Sequence, residues 1–255
     1  MLGLGLKRSP FQLDEPGMDH ANATCAMGPS QTAEPAHAPQ FSQRVPPDVL
    51  AAVEETEGWL DAEGASLLYL LAKQIPGESD IVEVGSYRGR SAVALGLGAR
   101  HGAVEGQREA ARVFAVEPHE QWTGVLGGEF GPADRAAFYG AMLRTGCFEE
   151  VRLVNLPSAQ VAPDWRRPVG LLWIDGDHQY DAVAQDVLLW SQHLQPGAAV
   201  VFNHAANPQL APHQAVDDLL ASGHFQPMPG LGPRGEVGKV CALVWTPQPD
   251  PATEA

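Results

Sequence analysis

Basic side chains are scarce in this chain of 255 residues: 16 Lys and Arg stand against 31 Asp and Glu, a formal net charge of -15. Such a balance repels phosphate backbones and anionic headgroups, so neither nucleic acid nor a membrane surface is expected as a partner, and the acidity otherwise serves solubility. Cysteine is scarcer still. The three thiols, Cys25, Cys147 and Cys241, lie far apart and are odd in number, which argues against a disulfide framework and a thiolate zinc site and fits a reducing cytoplasm. Long hydrophobic runs are missing too. The opening MLGLGLKRSPF holds too short an apolar stretch for a signal peptide, and no segment approaches the roughly 18 apolar residues of a membrane span. The expectation is a cytoplasmic protein, and 44% hydrophobic residues supply enough apolar material for one sizeable core.

Residues 1–45 lack a usable hydrophobic period and are rich in Ala, Pro, Gly and small polar residues, which predicts a disordered tail; residues 248–255 read as a second flexible end. One domain is expected over 46–247. Asp61 can cap a helix that runs toward Pro76-Gly77. Short apolar runs then alternate with helical stretches: IVEV (81–84), GRSAVALGLGA, RVFAV (112–116), PADRAAFYGAMLRTG and VRLVNL (151–156). VGLLWID precedes a helix with Val183, Val187, Trp190 and Leu194 on one face, ended by Gln195-Pro196-Gly197. AAVVF (198–202), HQAVDDLLASG, HFQPM and KVCALVWT follow. Strands apolar on both faces and separated by helices imply a parallel sheet covered on both sides, and the last two, joined without a helix, must be antiparallel to each other.

Chemistry concentrates at strand ends. In IVEVGSYRGRSAVALG the pattern E-x-G-x-x-x-G, Glu83, Gly85 and Gly89, occupies the first strand-to-helix turn, where open α/β sheets bind ligands. Glycines let a ligand approach the backbone, the helix start offers free N–H groups, and Glu83 suits a positively charged ligand better than a pyrophosphate. A P-loop requires a lysine after its last glycine, and Arg90-Ser91 follows Gly89 here; the dinucleotide fingerprint requires Gly where Tyr87 stands. Taken alone, such a turn is as readily structural as functional. The second strand ends in Glu117, an acid able to accept from both hydroxyls of a ribose; it lies 28 residues after Gly89 rather than roughly 20, an excess that the polar segment HGAVEGQR accounts for. LLWIDGDHQY drives four apolar residues into Asp175, Gly176, Asp177 and His178, a costly set of charges unless it forms a turn or a site.

Together these stretches resemble class I S-adenosylmethionine-dependent methyltransferases, in particular the small bacterial group of macrocin-type O-methyltransferases and their catechol-type relatives. GWLDAEGASLLYLLA, IVEVGSYRGRSAVALG, VFAVEP, LLWIDGDHQYDAVAQDVLLWSQHLQPGAAVVF and KVCALVW carry the resemblance over about residues 46–246. It implies a Rossmann-like α/β fold: a seven-stranded sheet of order 3-2-1-4-5-7-6 with strand 7 antiparallel and helices on both faces. It implies that Glu83, Gly85, Ser86, Gly89 and Ser91 line the amino-acid part of the cofactor, that Glu117 holds its ribose, that Ser158 with Pro157 and Ala159 meets its adenine, and that Asp175 faces its methyl group.

In the catechol-type relatives the first acid after strand 4 ligates a divalent metal together with groups after strand 5, hard oxygen donors that suit magnesium. This chain reads VVFNHAANP after strand 5, so the metal set would be Asp175, Asn203 and His204, one carboxylate only. Such a set favours manganese, iron or zinc, or marks a lost metal. Without metal, His178 is the natural general base, with Asp177 or Asp175 to orient it. For His119, His213 and His224 a structural role is expected. The resulting expectation is methylation of a hydroxyl on a small molecule such as a sugar or polyketide of secondary metabolism. The substrate pocket is expected from the first helix, the EQWTGVLGGEFG loop and the segment after Asn203. A nicotinamide (NAD)-dependent oxidoreductase and a non-catalytic cofactor-binding relative remain the alternatives, and a homodimer is the commonest assembly for such a protein.

Overall fold

The structure, a computed structural model, describes residues 44–125 and 127–247. Both expected tails, apart from residues 44 and 45, lie outside the described residues. Two helices open the fold, α1 (Pro47–Glu54) and α2 (Ala62–Ala72), the second capped by Asp61, whose carboxylate accepts the Gly64 N–H at 2.8 Å. Then come β1 (Asp80–Val84), α3 (Arg90–Gly106), β2 (Arg112–Val116) and a small hairpin of β3 (Trp122–Thr123) and β4 (Glu129–Phe130). The chain continues through α4 (Pro132–Thr145), β5 (Val151–Val154), α5 (Ser158–Val161), β6 (Val169–Ile174) and α6 (Tyr180–Ser191). It closes with β7 (Leu194–Phe202), α7 (Ala211–Ala221), β8 (Phe225–Pro227), β9 (Glu236–Val237) and β10 (Val240–Trp245).

The main sheet runs β5-β2-β1-β6-β7-β10-β8, parallel from β5 to β7, with β10 antiparallel to both of its neighbours and the short β9 paired to β10. In order of appearance that is 3-2-1-4-5-7-6, the expected arrangement. Successive strand residues face opposite sides of a sheet. Ile81, Leu171, Trp173 and Val201 accordingly join the core beneath α1 to α4, while Val82, Leu172, Ile174 and Val200 join the one beneath α6 and α7. Apolar residues on both faces are what two helical layers demand.

Three details depart from the sequence reading. The segment HGAVEGQR lengthens the helix that was expected over GRSAVALGLGA: α3 continues to Gly106. It does so packed tightly on α2, since a Cβ at Gly102 would stand 2.0 Å from the Lys73 carbonyl oxygen. Helix α6 stops at Ser191, and Gln195-Pro196-Gly197 lies inside β7, where the register with β6 slips between Val169 and Leu171; the missing proline N–H is tolerated at such an irregularity. The EQWTGVLGGEFG segment carries the β3-β4 hairpin rather than a plain loop. Among the described residues, no helix is long and apolar enough to cross a membrane.

Candidate active site

The turns that follow β1, β2, β6 and β7 enclose a cavity of about 740 Å³ at the carboxyl edge of the sheet, a size suited to small-molecule ligands. Gly85 is where the wall comes together. It has φ of +85°, and a Cβ there would lie 2.4 Å from the Asp175 carbonyl oxygen, so only glycine lets the ends of β1 and β6 approach this closely.

Glu117 closes the next turn. Its carboxylate accepts three backbone N–H groups, from Ser86 (3.1 Å) and Tyr87 (3.2 Å) on one oxygen and from His119 (3.1 Å) on the other. A carboxylate offers about four acceptor positions, so about one stays free for a ligand hydroxyl without displacing an N–H. Ser86, Ser91 and Glu117 all line the cavity.

Glu83 and Gly89 do not. Glu83 is fully buried one layer below, where its Oε1 accepts the hydroxyl of Ser91 and its Oε2 has no partner. Burial raises its pKa to about 8, with the charges of Asp175 and Glu117 adding to the rise and the Ser91 hydrogen bond opposing it. Glu83 is therefore protonated at neutral pH. Gly89 precedes α3 and packs on α4: a Cβ there would meet Phe138 at 3.0 Å and Met142 at 3.1 Å.

At the β5 end, Ser158 lines the cavity and its hydroxyl oxygen accepts the indole N–H of Trp190 at 2.9 Å. Asp186 stands beside it, a lining residue that the sequence reading missed. Burial raises its carboxyl to about 6, opposed by a hydrogen bond from Ser158 and helped by the charge of Asp177. A signal existed in the sequence: Asp186 falls three residues after Val183 and four before Trp190, an acid on the apolar face of α6.

Asp175, His178, Asn203 and His204 meet at the ends of β6 and β7. Asp175 Oδ1 accepts the Asn203 amide at 2.7 Å and faces His178 Nε2 at 3.3 Å. The His178 and His204 rings meet edge to face with centroids 4.8 Å apart. Asp177, expected to orient His178, instead takes the backbone and side-chain N–H groups of Gln179 at 3.1 and 3.0 Å, so it closes its own turn and Asp175 is the acid beside the imidazole. The Asn203 amide nitrogen donates to Asp175 and its oxygen accepts the His204 N–H. Candidate ligand atoms of Asp175, His178 and His204 lie within 4.8 Å of one another, which brings His178 beside two members of the expected metal set. His204 holds φ of +56°, strained for a residue other than glycine, and burial, with His178 nearby, lowers its pKa, leaving it neutral.

The outer wall is aromatic. Trp59, Tyr87, Trp122 and Phe130 line it, with ring centroids 4.8 to 5.8 Å apart. Arg90 is the one lysine or arginine among the described lining residues, against Glu57, Glu117, Glu120, Asp175, Asp177 and Asp186. Of the three histidines expected to be structural, His119 and His213 bond backbone carbonyls and His224 stacks on Trp245.

A family model described as a methyltransferase domain matches residues 82–205, the segment from β1 to just past His204. Among solved structures, a methyltransferase of Podospora anserina with bound S-adenosylhomocysteine is 17% identical (TM-score 0.56, covering 86% of this chain and 100% of that one). An O-methyltransferase of Bacillus cereus, also with S-adenosylhomocysteine, is 16% identical (0.52, 80% and 90%). The O-methyltransferase TomG of Streptomyces achromogenes with S-adenosylmethionine is 15% identical (0.53, 82% and 90%). At these identities the likeness shows the fold alone, a Rossmann-like sheet with helices on both faces, and the methyltransferase-domain model spans just under half of the chain.

Proposed function

We propose that this chain transfers the methyl group of S-adenosylmethionine to a hydroxyl of a small molecule, such as a sugar or polyketide of secondary metabolism. The observation that carries the reading is the acid at the end of β2: Glu117, fixed by three backbone N–H groups at the wall of a largely acidic cavity. A carboxylate so held can accept from a ribose, and an acidic lining favours a cationic sulfonium ligand over a pyrophosphate.

The sulfonium is already an activated donor, so the protein contributes alignment, exclusion of water and removal of one proton. S-adenosylmethionine, when bound, would supply the methyl group to the acceptor oxygen and would leave as the neutral thioether. The acceptor's proton goes to His178. Its Nε2 faces Asp175, so the tautomer that carries hydrogen there leaves Nδ1 free as base, and Asp175 stabilises the imidazolium that forms. The aromatic wall of Trp59 and Trp122, half exposed to the cavity mouth, supports docking of the acceptor there.

The juxtaposition of Asp175, His178 and His204 favours a second reading with a divalent metal. Two imidazoles and one carboxylate fit manganese, iron or zinc, and fit magnesium poorly because it prefers oxygen donors. Such an ion, when bound, would lower the pKa of the acceptor hydroxyl.

Isothermal titration with S-adenosylmethionine, S-adenosylhomocysteine and NAD, with and without magnesium or manganese, tests the cofactor. Binding of both sulfur nucleosides that collapses in Glu117→Ala is the expected result. Binding of NAD alone would overturn the reading.

A further inference from the structure

The rings of the outer wall are held in a fixed frame. Trp122 and Phe130 are cross-strand partners in the β3-β4 hairpin, Tyr87 stands in the glycine turn, and Trp59 comes from the segment between α1 and α2. Phe130 is their hub, with centroids 5.8, 5.3 and 5.1 Å from those of Trp59, Tyr87 and Trp122. Glycines bring the hairpin backbone flat against it: a Cβ at Gly124 would stand 3.0 Å from Phe130 and 3.3 Å from Trp122, and one at Gly128 would stand 3.1 Å from Phe130. Even so packed, Trp59 remains 52% exposed and Trp122 38%. Ring surface left open at the mouth of a cavity is a place for something else to bind.

The charge beside the rings narrows what binds. Five of the six lining acids already have partners: Glu57 holds Arg88 and the Tyr87 hydroxyl, Glu117 three backbone N–H groups, Asp175 the Asn203 amide, Asp177 the N–H groups of Gln179, and Asp186 the Ser158 hydroxyl. Glu120 is the exception. Two residues before Trp122, it lines the cavity with no hydrogen bond or ion pair among the described residues. In the reading above the cofactor's sulfonium belongs with Glu117 and Asp175, so it gives Glu120 and the hairpin rings no partner. The one basic lining residue, Arg90, donates its Nη1 to the Gly58 carbonyl at 2.9 Å. An anionic acceptor would be repelled by this lining, and a neutral one would leave Glu120 without a counter-charge. A cation answers both features at once, since the face of an aromatic ring attracts positive charge as a carboxylate does.

We propose that the acceptor is a hydroxylated amine whose ammonium lies against Trp59, Trp122 and Phe130 with Glu120 as counter-ion, while its hydroxyl points inward to His178. This rests on the S-adenosylmethionine reading and narrows its acceptor to a cationic class.

The test compares choline with 3,3-dimethylbutan-1-ol, which has the same shape but carbon in place of the charged nitrogen. Both are titrated by ligand-observed NMR into the full chain saturated with S-adenosylhomocysteine, so that the cofactor's own site is filled. Choline is expected to bind about 5- to 30-fold more tightly than the neutral alcohol. Glu120→Gln, and Trp122→Leu, which keeps apolar surface but removes the ring face, should each reduce that ratio at least about threefold and leave the alcohol within about twofold. Equal affinity for the two probes would mean that the rings take a neutral group, a ratio that survives both variants would place the cation elsewhere, and no binding of either probe would mean that the mouth is no ligand site; each overturns the proposal. If S-adenosylhomocysteine itself does not bind, the cofactor reading fails instead, and the choline preference is read on the unloaded chain with the same two variants.

Discussion

Replacing Glu83 by Gln should make the protein more resistant to alkali, although it removes an acid that lies directly behind the cavity wall. Glu83 is fully buried, bonded to Ser91 on one oxygen and to nothing on the other, with a pKa raised from 4.5 to about 8. The unfolded chain releases this proton near pH 4.5, whereas the folded chain keeps it to about pH 8. A group whose folded pKa is raised favours the fold fully below the unfolded value and loses that favour as pH rises through the folded one. Between pH 6 and 9 this single carboxyl costs the wild type about 2–3 kcal/mol, because each pH unit until it ionises adds about 1.4 kcal/mol. Gln copies the neutral shape and cannot ionise. In thermal melts at both pH values, the difference in melting temperature between variant and wild type should grow by about 5–10 °C from pH 6 to pH 9. Parallel losses in the two proteins would show that Glu83 is already ionised in the fold, and the argument from burial would be wrong.

Other expectations follow from the same geometry. His178→Asn should lower kcat about 100- to 10,000-fold while S-adenosylhomocysteine affinity stays within about twofold, because the imidazole serves proton removal rather than cofactor binding; unaltered turnover would remove it from the mechanism. Gly102→Ala, which in an open helix gains about 1 kcal/mol, should here cost about 1–3 kcal/mol in urea unfolding because the new Cβ collides with the Lys73 carbonyl. Manganese or zinc should bind the full chain with one ion per molecule in a titration and magnesium far more weakly, and His204→Ala should abolish the difference. Equal weak binding of all three ions would dismiss the metal reading.

The sheet order was legible because β1, β2, β6 and β7 are apolar on both faces and each ends at a glycine, acid or amide that stops it. What escaped were features with no one-dimensional signature. The β3-β4 hairpin has two residues per strand, too few for any period. Gln195-Pro196-Gly197 carries every mark of a helix stop, yet the register slip of β7 lets the strand absorb it. In the site, spacing put Glu83 and Gly89 at the right turn but could not give depth, so both lie behind the wall that Ser86 and Ser91 face. Asp177 and Asp175 are equally near His178 in sequence; the turn geometry chooses Asp175. Arg90 was read only for what it excluded.

The order in which the strands are stitched together also bears on how the chain is made. β1, near the middle of the sheet, gains β2 by Val116 and β5 pairs by Val154, but its other neighbour, β6, is not complete until Ile174. A chain leaving the ribosome therefore carries a half-built sheet whose inner edge, Ile81 and Val82 included, is unpaired, the kind of edge that recruits other chains. Nor does β6 finish the work, because β10, among the last residues, must insert between β7 and β8, and the Lys239 N–H then reaches back to the Asp61 carboxylate at 2.9 Å. The cap of α2 is thus joined by a turn far along the chain, between β9 and β10. Fragments ending before Val169 should need a chaperone to stay dispersed, and the sheet should close only once β10 is available.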